Sequence, residues 1–306
     1  MVRTGQSSWI KAAVRTMQSL VSDRTTGLKT YSFEVPNVYQ IELVGGVCNL
    51  KCPECPVTKG EVVRRQNFFD VKFIDVMRRR GDFKNTFYVE LQMYGEPLLH
   101  PKFDMAVKKL KKAGLMVGVS TNGTIWRKGL KHVDFITLSA DSVQYRIGRN
   151  EEAFSDVLKR ILEETEAKVD VQVIEINDWQ EQVRKLKKMF KGYEDRVLIR
   201  TVPDCFGVKV RKTAHQDFCV NVLTSVSIHS DGDVVPCCFA WEKELVIGNI
   251  YEQSLAEIWQ GERRKKLLKG WFSGKIPKKC ENCKFRSPQL LHWRFWINWT
   301  RRRWFG

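Results

Sequence analysis

The sequence contains no run of apolar residues long enough to cross a membrane, and its first residues lack the continuous apolar core of a secretory signal. Its 9 cysteines are an odd number and cluster near Gly and Pro, which disfavours a framework of disulfides. We therefore expect a cytoplasmic protein whose cysteines bind a metal or a cluster. Hydrophobic residues make up 43% of the chain and charged residues 28%, so wholesale disorder is excluded.

Acidic residues are too few to balance the basic ones. The 52 Lys and Arg against 35 Asp and Glu give a formal net charge of +17. Such an excess suits nucleic acid, an anionic membrane surface or an acidic peptide. A basic enzyme whose lysines face solvent has the same composition. No stacking motif of an RNA-recognition fold occurs, so we expect no nucleic-acid partner.

From about residue 38, apolar stretches of strand length alternate with amphipathic stretches of helix length. Strands are predicted near 39–45, 86–93, 115–120, 134–139, 169–176 and 196–202, and helices near 68–80, 102–113, 153–167 and 179–191. This alternation predicts an α/β fold whose parallel sheet is curled by right-handed crossovers into a partial (β/α)6 TIM-like barrel. Ligands of such sheets bind at the carboxyl ends of the strands.

Three cysteines follow the first predicted strand with C-x3-C-x2-C spacing: Cys48, Cys52 and Cys55. Three thiolates can hold three irons of one cubane cluster and leave the fourth iron for another ligand, whereas most clusters have four Cys ligands. A structural zinc site and three unrelated core cysteines are the alternatives. Zinc ribbons prefer paired C-x2-C units, so the spacing favours the cluster.

Polar motifs follow the next three strands. They are Tyr94-Gly95-Glu96-Pro97, Ser120-Thr121-Asn122-Gly123 and Ser139-Ala140-Asp141-Ser142. Each motif alone is an ordinary turn composition. Because parallel strands end at one edge of the sheet, we expect the motifs to surround one site with the cysteine loop.

A second set of cysteines follows the end of the βα pattern at about residue 203. Asp231-Gly232 between apolar stretches predicts a hairpin whose exit strand leads to Cys237. Four thiolates, from Cys219, Cys237, Cys280 and Cys283, can ligate a second cluster completely, and Cys205 and Cys238 are spare. A zinc knuckle made by the same four residues is the alternative.

The cysteine loop resembles the signature of the radical S-adenosylmethionine (SAM) superfamily, in which SAM chelates the open iron of a [4Fe–4S] cluster. The resemblance implies that Tyr94, Gly95, Glu96 and Pro97 match the G-G-E-P element, whose carbonyls and Glu receive the SAM amino group. It also places Ser120, Asn122, Ser139 and Asp141 near the ribose and carboxylate of SAM, and Arg149 at that carboxylate. Tyr94 replaces a Gly, and Glu54 stands where an apolar residue is usual.

The later segment resembles a SPASM or shorter twitch extension of these enzymes, which implies one auxiliary [4Fe–4S] cluster. The expected domains are an amphipathic segment (1–37), the partial barrel (38–203), the auxiliary domain (204–288) and a basic, Trp-rich tail (289–306). Apolar residues near helical spacing predict a short amphipathic helix at 9–22. This helix and the tail either pack on the protein body or contact an anionic membrane, which would make the protein peripheral to it.

The resemblance implies an enzyme that cleaves SAM reductively to a 5′-deoxyadenosyl radical, takes a hydrogen from the substrate and oxidises or cross-links it. The electron donor would be a flavodoxin or a ferredoxin. We expect a ribosomal peptide as the substrate, so that the enzyme is a peptide maturase. The alternative is a dehydrogenase of a small sugar or aminocyclitol. A non-catalytic iron–sulfur protein, or an RNA- or membrane-binding protein, is the alternative from another class.

Overall fold

The structure is a computed structural model, and it describes residues 35–141, 148–175, 179–202, 221–272 and 275–281. The predicted helix at 9–22, the Trp-rich tail and three cysteines, Cys205, Cys219 and Cys283, lie outside the described residues.

The described part of the chain contains one sheet of nine strands in the order β6-β5-β4-β3-β2-β1-β7-β8-β9. The bounds are Asn37–Ile41 (β1), Tyr88–Leu91 (β2), Met116–Thr121 (β3), Phe135–Ser139 (β4), Lys168–Ile174 (β5), Val197–Val202 (β6), Ser225–Ile228 (β7), Asp233–Val235 (β8) and Gly248–Asn249 (β9). β1 to β6 are parallel and sequential neighbours pair with each other. The predicted α/β partial barrel is confirmed.

In the described residues, four helices lie between successive barrel strands and four more follow β6. They are α1 (Phe73–Arg80), α2 (Phe103–Lys112), α3 (Glu151–Glu164), α4 (Trp179–Met189), α5 (Asn221–Thr224), α6 (Leu255–Gln260), α7 (Glu262–Phe272) and α8 (Lys278–Glu281). Helical spacing buries one side of each longer helix, as in α2, where Phe103, Ala106, Val107 and Leu110 are at most 1% exposed. The side chain of Asn150 caps α3 by accepting from Ala153 N at 2.9 Å.

The start of the helix predicted near 68–80 was wrong. The pattern predicts a helix from residue 68, whereas α1 begins at Phe73. Phe68 instead forms an isolated bridge with Val44, and Phe69 N donates to Leu43 O at 3.0 Å. Pairing with the chain beyond β1 therefore satisfies these backbone groups and delays the helix.

The two faces of the barrel sheet differ in polarity. On β5, Val169, Val171 and Val173 are buried in the core that packs against the helices. The intervening Asp170 and Gln172 point to the other face, because side chains alternate along a strand. Further polar contacts lie on that inner face, including Ser227 Oγ to Gln40 Oε1 at 3.3 Å. We call this polar side the barrel interior.

The predicted hairpin is present and extends the same sheet. β7 and β8 are antiparallel, and the turn between them places Gly232 at φ 83°, a conformation that glycine adopts without strain. β7 also pairs with β1 in parallel register. The auxiliary segment therefore continues the edge of the barrel sheet beside the strand that leads into the first cysteine loop. None of the described helices is long and apolar enough to cross a bilayer.

Candidate metal centres and ligand site

The first cysteine site consists of Cys48, Cys52 and Cys55 in the loop after β1. The three side chains pack in one cluster with Leu50 and Ile174, and Cys52 is 6% exposed. A turn closes the second half of the loop, where Cys55 N donates to Cys52 O at 3.1 Å. The structure therefore brings together the three thiols that the spacing predicts as one ligand set.

Asn122, from the motif after β3, holds this loop against the sheet. Its Nδ2 lies 3.8 Å from Cys48 Sγ and donates to Asn49 Oδ1 at 2.9 Å. Asn49 Nδ2 in turn donates to Thr124 Oγ1 at 2.8 Å. The cysteine loop and the S-T-N-G motif thus lie next to each other, as the sequence predicts. Asn49 is a contributor that sequence reasoning missed, because a loop Asn is unremarkable by composition.

The pKa of the Cys48 thiol is set by its burial. Burial raises the pKa of its thiol to about 11, and the negative charges of Glu96, Cys52 and Cys55 add to the rise, while a hydrogen bond from Leu50 N at 3.4 Å opposes it. A thiolate is the form that binds metal, so a cation must compensate its burial. The three thiols pack together in an apolar setting, which fits an iron–sulfur cluster.

Glu96 joins the Y-G-E-P motif to the S-T-N-G motif. Its Oε1 accepts from Leu98 N at 3.0 Å and from Thr121 Oγ1 at 2.8 Å, and its Oε2 accepts from Asn122 N at 2.9 Å. The side chain is buried, with the residue 2% exposed. The carboxylate therefore fixes the relative positions of two loops that end on the same edge of the sheet.

Gly95 allows these loops to approach each other. A Cβ at this position would lie 2.2 Å from Val44 O and 2.9 Å from Val47 O. Glu96 N donates to Val47 O at 3.0 Å, and Gly46 N donates to Tyr94 O at 2.6 Å. The backbone of the motif is thus hydrogen-bonded directly to the segment that leads into Cys48, and only glycine fits at position 95.

Arg149 is a buried cation with one unused nitrogen. Its Nε pairs with Glu151 at 2.8 Å, its Nη2 donates to Asp141 O, and its guanidinium lies 4.5 Å from the Phe154 ring centroid. Within the described part of the chain, Nη1 is buried and has no hydrogen-bond partner. An unpaired buried donor is costly, so an acceptor from a bound molecule fits this position.

The remaining predicted ligands face different partners. Asp141 Oδ1 accepts from Ile174 N at 2.5 Å, so its carboxylate ties β4 to β5. Ser120 Oγ donates to Glu90 Oε1 at 2.7 Å, inside the barrel. Ser139 is the last residue of β4 and half-buried, and Pro97 begins a 3₁₀ turn over Pro97–Leu99. All these residues lie at or near the carboxyl edge of the sheet.

The second cysteine site is represented among the described residues by Cys237 and Cys280. Both pack against the apolar cluster that contains Tyr94 and Trp241. A hydrogen bond with Cys238 lowers the pKa of Cys237 to about 7, helped by Phe239 N at 3.4 Å and by the charge of Lys279, although burial opposes the shift. This thiol is thus prepared to act as a thiolate ligand.

Tyr94 contacts the second site from the first. Its ring packs edge-on against Trp241, with centroids 5.2 Å apart. Burial raises its pKa, and the charges of Cys238, Cys237, Glu42 and Cys55 raise it further. The residue that departs from the G-G-E-P pattern therefore fills the space between the two cysteine sites.

A buried ion pair connects the same elements. Arg64 binds Glu42 through Nε at 2.7 Å and Nη2 at 3.0 Å, with side chains 2% and 0% exposed. Glu42 also accepts from Tyr94 N at 3.1 Å and Ser230 N at 3.0 Å, while Arg64 Nη1 donates to Trp241 O at 2.9 Å. Sequence motifs gave no indication of this pair.

The structure is an α/β partial barrel with one cysteine site at the carboxyl edge of its parallel strands and a second cysteine site after β8. A family model for the iron–sulfur cluster-binding SPASM domain matches residues 219–284. The tungsten-containing aldehyde ferredoxin oxidoreductase cofactor-modifying protein of Pyrococcus furiosus is 32% identical over 78 residues. That match spans 26% of this chain and 22% of the relative's length.

Solved structures of similar fold cover more of the chain. BtrN in complex with AdoMet (SAM) and 2-DOIA has a TM-score of 0.52 and 19% identity, over 82% of this chain and 93% of that one. Streptococcus suis SuiB bound to SAM has a TM-score of 0.59 and 14% identity, over 90% and 75%. The anSMEcpe protein with bound AdoMet has a TM-score of 0.58 and 16% identity, over 82% and 87%.

These comparisons confirm the partial-barrel fold and the SPASM domain. The family model supports an iron–sulfur cluster at the second set of cysteines, and AdoMet is bound in the three solved structures of similar fold.

Proposed function

We propose that this protein is a radical SAM enzyme that oxidises or cross-links a ribosomal peptide. The observation that carries the proposal is the convergence, at one edge of the sheet, of three clustered thiols and a buried guanidinium with an unused nitrogen. When bound, a [4Fe–4S] cluster that a flavodoxin or ferredoxin has reduced by one electron would supply the reductive cleavage of SAM to methionine and a 5′-deoxyadenosyl radical, which takes a hydrogen atom from the substrate.

The chain's own residues bind and orient SAM. Cys48, Cys52 and Cys55 hold the cluster, and Arg149 Nη1 donates to the carboxylate of SAM as a charge-assisted hydrogen bond. Glu96 already accepts three hydrogen bonds, so its main contribution is to hold the loop whose carbonyls receive the amino group. Asn122, Ser120, Ser139 and Asp141 shape the same pocket.

The second cysteine site holds the auxiliary cluster. Cys237 and Cys280 supply two thiolates, and Cys219 and Cys283, which lie within the segment matched by the SPASM model, supply the other two. A [4Fe–4S] cluster held by these residues would supply one-electron redox chemistry, which an oxidation of the substrate needs after loss of a hydrogen atom.

A peptide substrate is supported by the basic charge and by two structural relatives. SuiB has been solved with the precursor peptide SuiA and anSMEcpe with the Cp18Cys peptide. A net charge of +17 would attract an acidic peptide. The alternative, oxidation of a small sugar or aminocyclitol, is supported by BtrN, whose complex contains 2-DOIA and which this chain matches over 93% of its length.

The test follows deuterium from the substrate into 5′-deoxyadenosine. Anaerobically reconstituted, reduced protein is incubated with SAM and an extract of deuterated host cells that has been separated by size. We expect label from the peptide fraction. Label only from the small-molecule fraction would replace the maturase by a metabolite dehydrogenase, and the absence of any 5′-deoxyadenosine would contradict radical SAM chemistry itself.

A further inference from the structure

Arg200 on β6 is held in one orientation by a buried carboxylate. Its Nε lies 2.9 Å from each oxygen of Asp170, and its Nη2 lies 2.8 Å from Asp170 Oδ2. Gln172 Nε2 also donates to Asp170 Oδ2 at 3.0 Å. The carboxylate is 5% exposed, so the pair is sheltered and the guanidinium plane is fixed.

The opposite edge of this guanidinium is open. Asp170 occupies the edge formed by Nε and Nη2, which leaves the edge formed by Nη1 and Nη2 pointing away. Among the described residues, Nη1 of Arg200 has no hydrogen-bond partner, and the side chain is 34% exposed. Two parallel N–H groups on a fixed plane match the two oxygens of a carboxylate.

The strand register places this edge beside the first cysteine site. Arg200 pairs with Gln172, which pairs with Ser139 at the end of β4. Two residues beyond Gln172 on the same face, Ile174 packs against the cluster of Leu50 and Cys52 in the cysteine loop. Two residues of a strand span about 7 Å, so Arg200 lies one layer below the cysteine loop inside the barrel.

We propose that Arg200, oriented by Asp170, binds a carboxylate of the substrate and thereby positions the substrate inside the barrel. The inference rests on the proposed function, because it takes the barrel interior as the place of reaction. It narrows the substrate class to molecules with a carboxylate near the carbon attacked. An acidic side chain or chain end of a peptide and a small organic acid both satisfy this requirement.

The site favours a carboxylate over a phosphate. A phosphate brings close to two negative charges and would lie next to the carboxylate of Asp170, which already neutralises the guanidinium in part. A carboxylate brings one charge and uses both open N–H groups. Arg149 does not compete for the same ligand, because Asp141 O and Glu151 occupy its Nη2 and Nε, and the remaining Nη1 is assigned to the carboxylate of SAM.

The first test needs no variant. The deuterated extract is divided, and one half is treated with carbodiimide and methylamine, which converts carboxylates to neutral amides. The readout is the deuterated fraction of the 5′-deoxyadenosine formed by wild-type holoenzyme, so a change in overall SAM cleavage cancels. We expect amidation to lower this fraction at least about tenfold, the size expected for loss of a charged hydrogen-bonded contact. Full label from the amidated extract would refute the assignment.

The second test uses the double variant D170N/R200Q, which replaces the ion pair by two amides and leaves no unpaired buried charge. The control is R160Q, which removes the α3 guanidinium that lies 4.2 Å from the ring centroid of Trp126. We expect D170N/R200Q to show the low label of the amidated extract and R160Q to match wild type. A deuterated fraction equal to wild type in D170N/R200Q would overturn this inference and leave the proposed function standing.

Size separation of the untreated extract identifies the source of the carboxylate. Label lost on amidation of the peptide fraction assigns it to a peptide, and label lost on amidation of the small-molecule fraction assigns it to an organic acid. Either result supports a requirement for a substrate carboxylate, and the low label of D170N/R200Q assigns that requirement to Arg200. A wild-type protein that forms no 5′-deoxyadenosine with any fraction would refute the proposed function and this inference together.

Discussion

Arg64→Met should destabilise the protein far more than the loss of a surface ion pair. The variant leaves the carboxylate of Glu42 buried at 0% exposure without its counterion and removes the donor to Trp241 O. Removing one partner of a buried pair typically costs about 3–5 kcal/mol. For a chain of 306 residues this corresponds to a fall in the unfolding midpoint of about 5–8 °C.

Two further variants separate the buried charge from general effects of the substitution. Arg184→Met breaks an exposed pair with Glu181, whose side chains are 71% and 44% exposed, and should shift the midpoint by about 1 °C or less. The double variant E42Q/R64M removes both charges while Gln keeps an acceptor for the backbone, so it should recover part of the loss. The midpoints are measured by circular dichroism under anaerobic conditions.

The reasoning predicts an order of midpoints: Arg184→Met nearest to wild type, then the double variant, and Arg64→Met lowest. An Arg64→Met protein as stable as Arg184→Met would show that the pair is not a buried link between the barrel and the auxiliary segment. A double variant that is less stable than Arg64→Met would show that the loss comes from packing and not from an unpaired charge.

Three other perturbations follow from single contacts. Arg149→Gln should weaken SAM binding to the reconstituted protein by about 10- to 150-fold, which is the range for loss of a charged hydrogen bond. Equilibrium dialysis measures the affinity, and unchanged binding would show that Arg149 is not part of the SAM site. Gly95→Ala should abolish SAM binding, because the new Cβ would lie 2.2 Å from Val44 O; dialysis that shows normal affinity would contradict the tight loop packing. Burial lowers the pKa of His229, so the unfolded state binds a proton before the folded state as pH falls below about 6.5, and the free energy of unfolding declines. His229→Gln keeps a donor for Ala240 O, and its unfolding midpoint should therefore fall less than that of the wild type from pH 7 to 5.5. An equal fall in both proteins would exclude His229 as the cause.

The architecture of the barrel could be predicted because strands and helices each have a characteristic local spacing of apolar residues. Alternating stretches such as 115–120 and 134–139 became β3 and β4 within one or two residues. The hairpin at Asp231-Gly232 followed from turn chemistry that depends on the residues themselves. The cysteine loop and the strand-end motifs met because parallel strands end at a common edge.

The contacts that connect distant segments could not be predicted in the same way. Glu42 and Arg64 are separated by a cysteine loop, and neither residue has a local signature that reports burial. The open edge of Arg200 depends on its register with Asp170, which is set by pairing across two strands. Glu96 was predicted as a ligand of SAM, but only the fold shows how many backbone donors already share its carboxylate.

The most direct test of the central claim is the formation of 5′-deoxyadenosine from SAM by the anaerobically reconstituted, reduced protein, compared with Cys52→Ala. The account predicts 5′-deoxyadenosine and methionine from the wild type, and none from the variant, because the variant loses one of three clustered ligands. Iron-loaded wild-type protein that leaves SAM intact, or a variant that cleaves SAM at the wild-type rate, would contradict it.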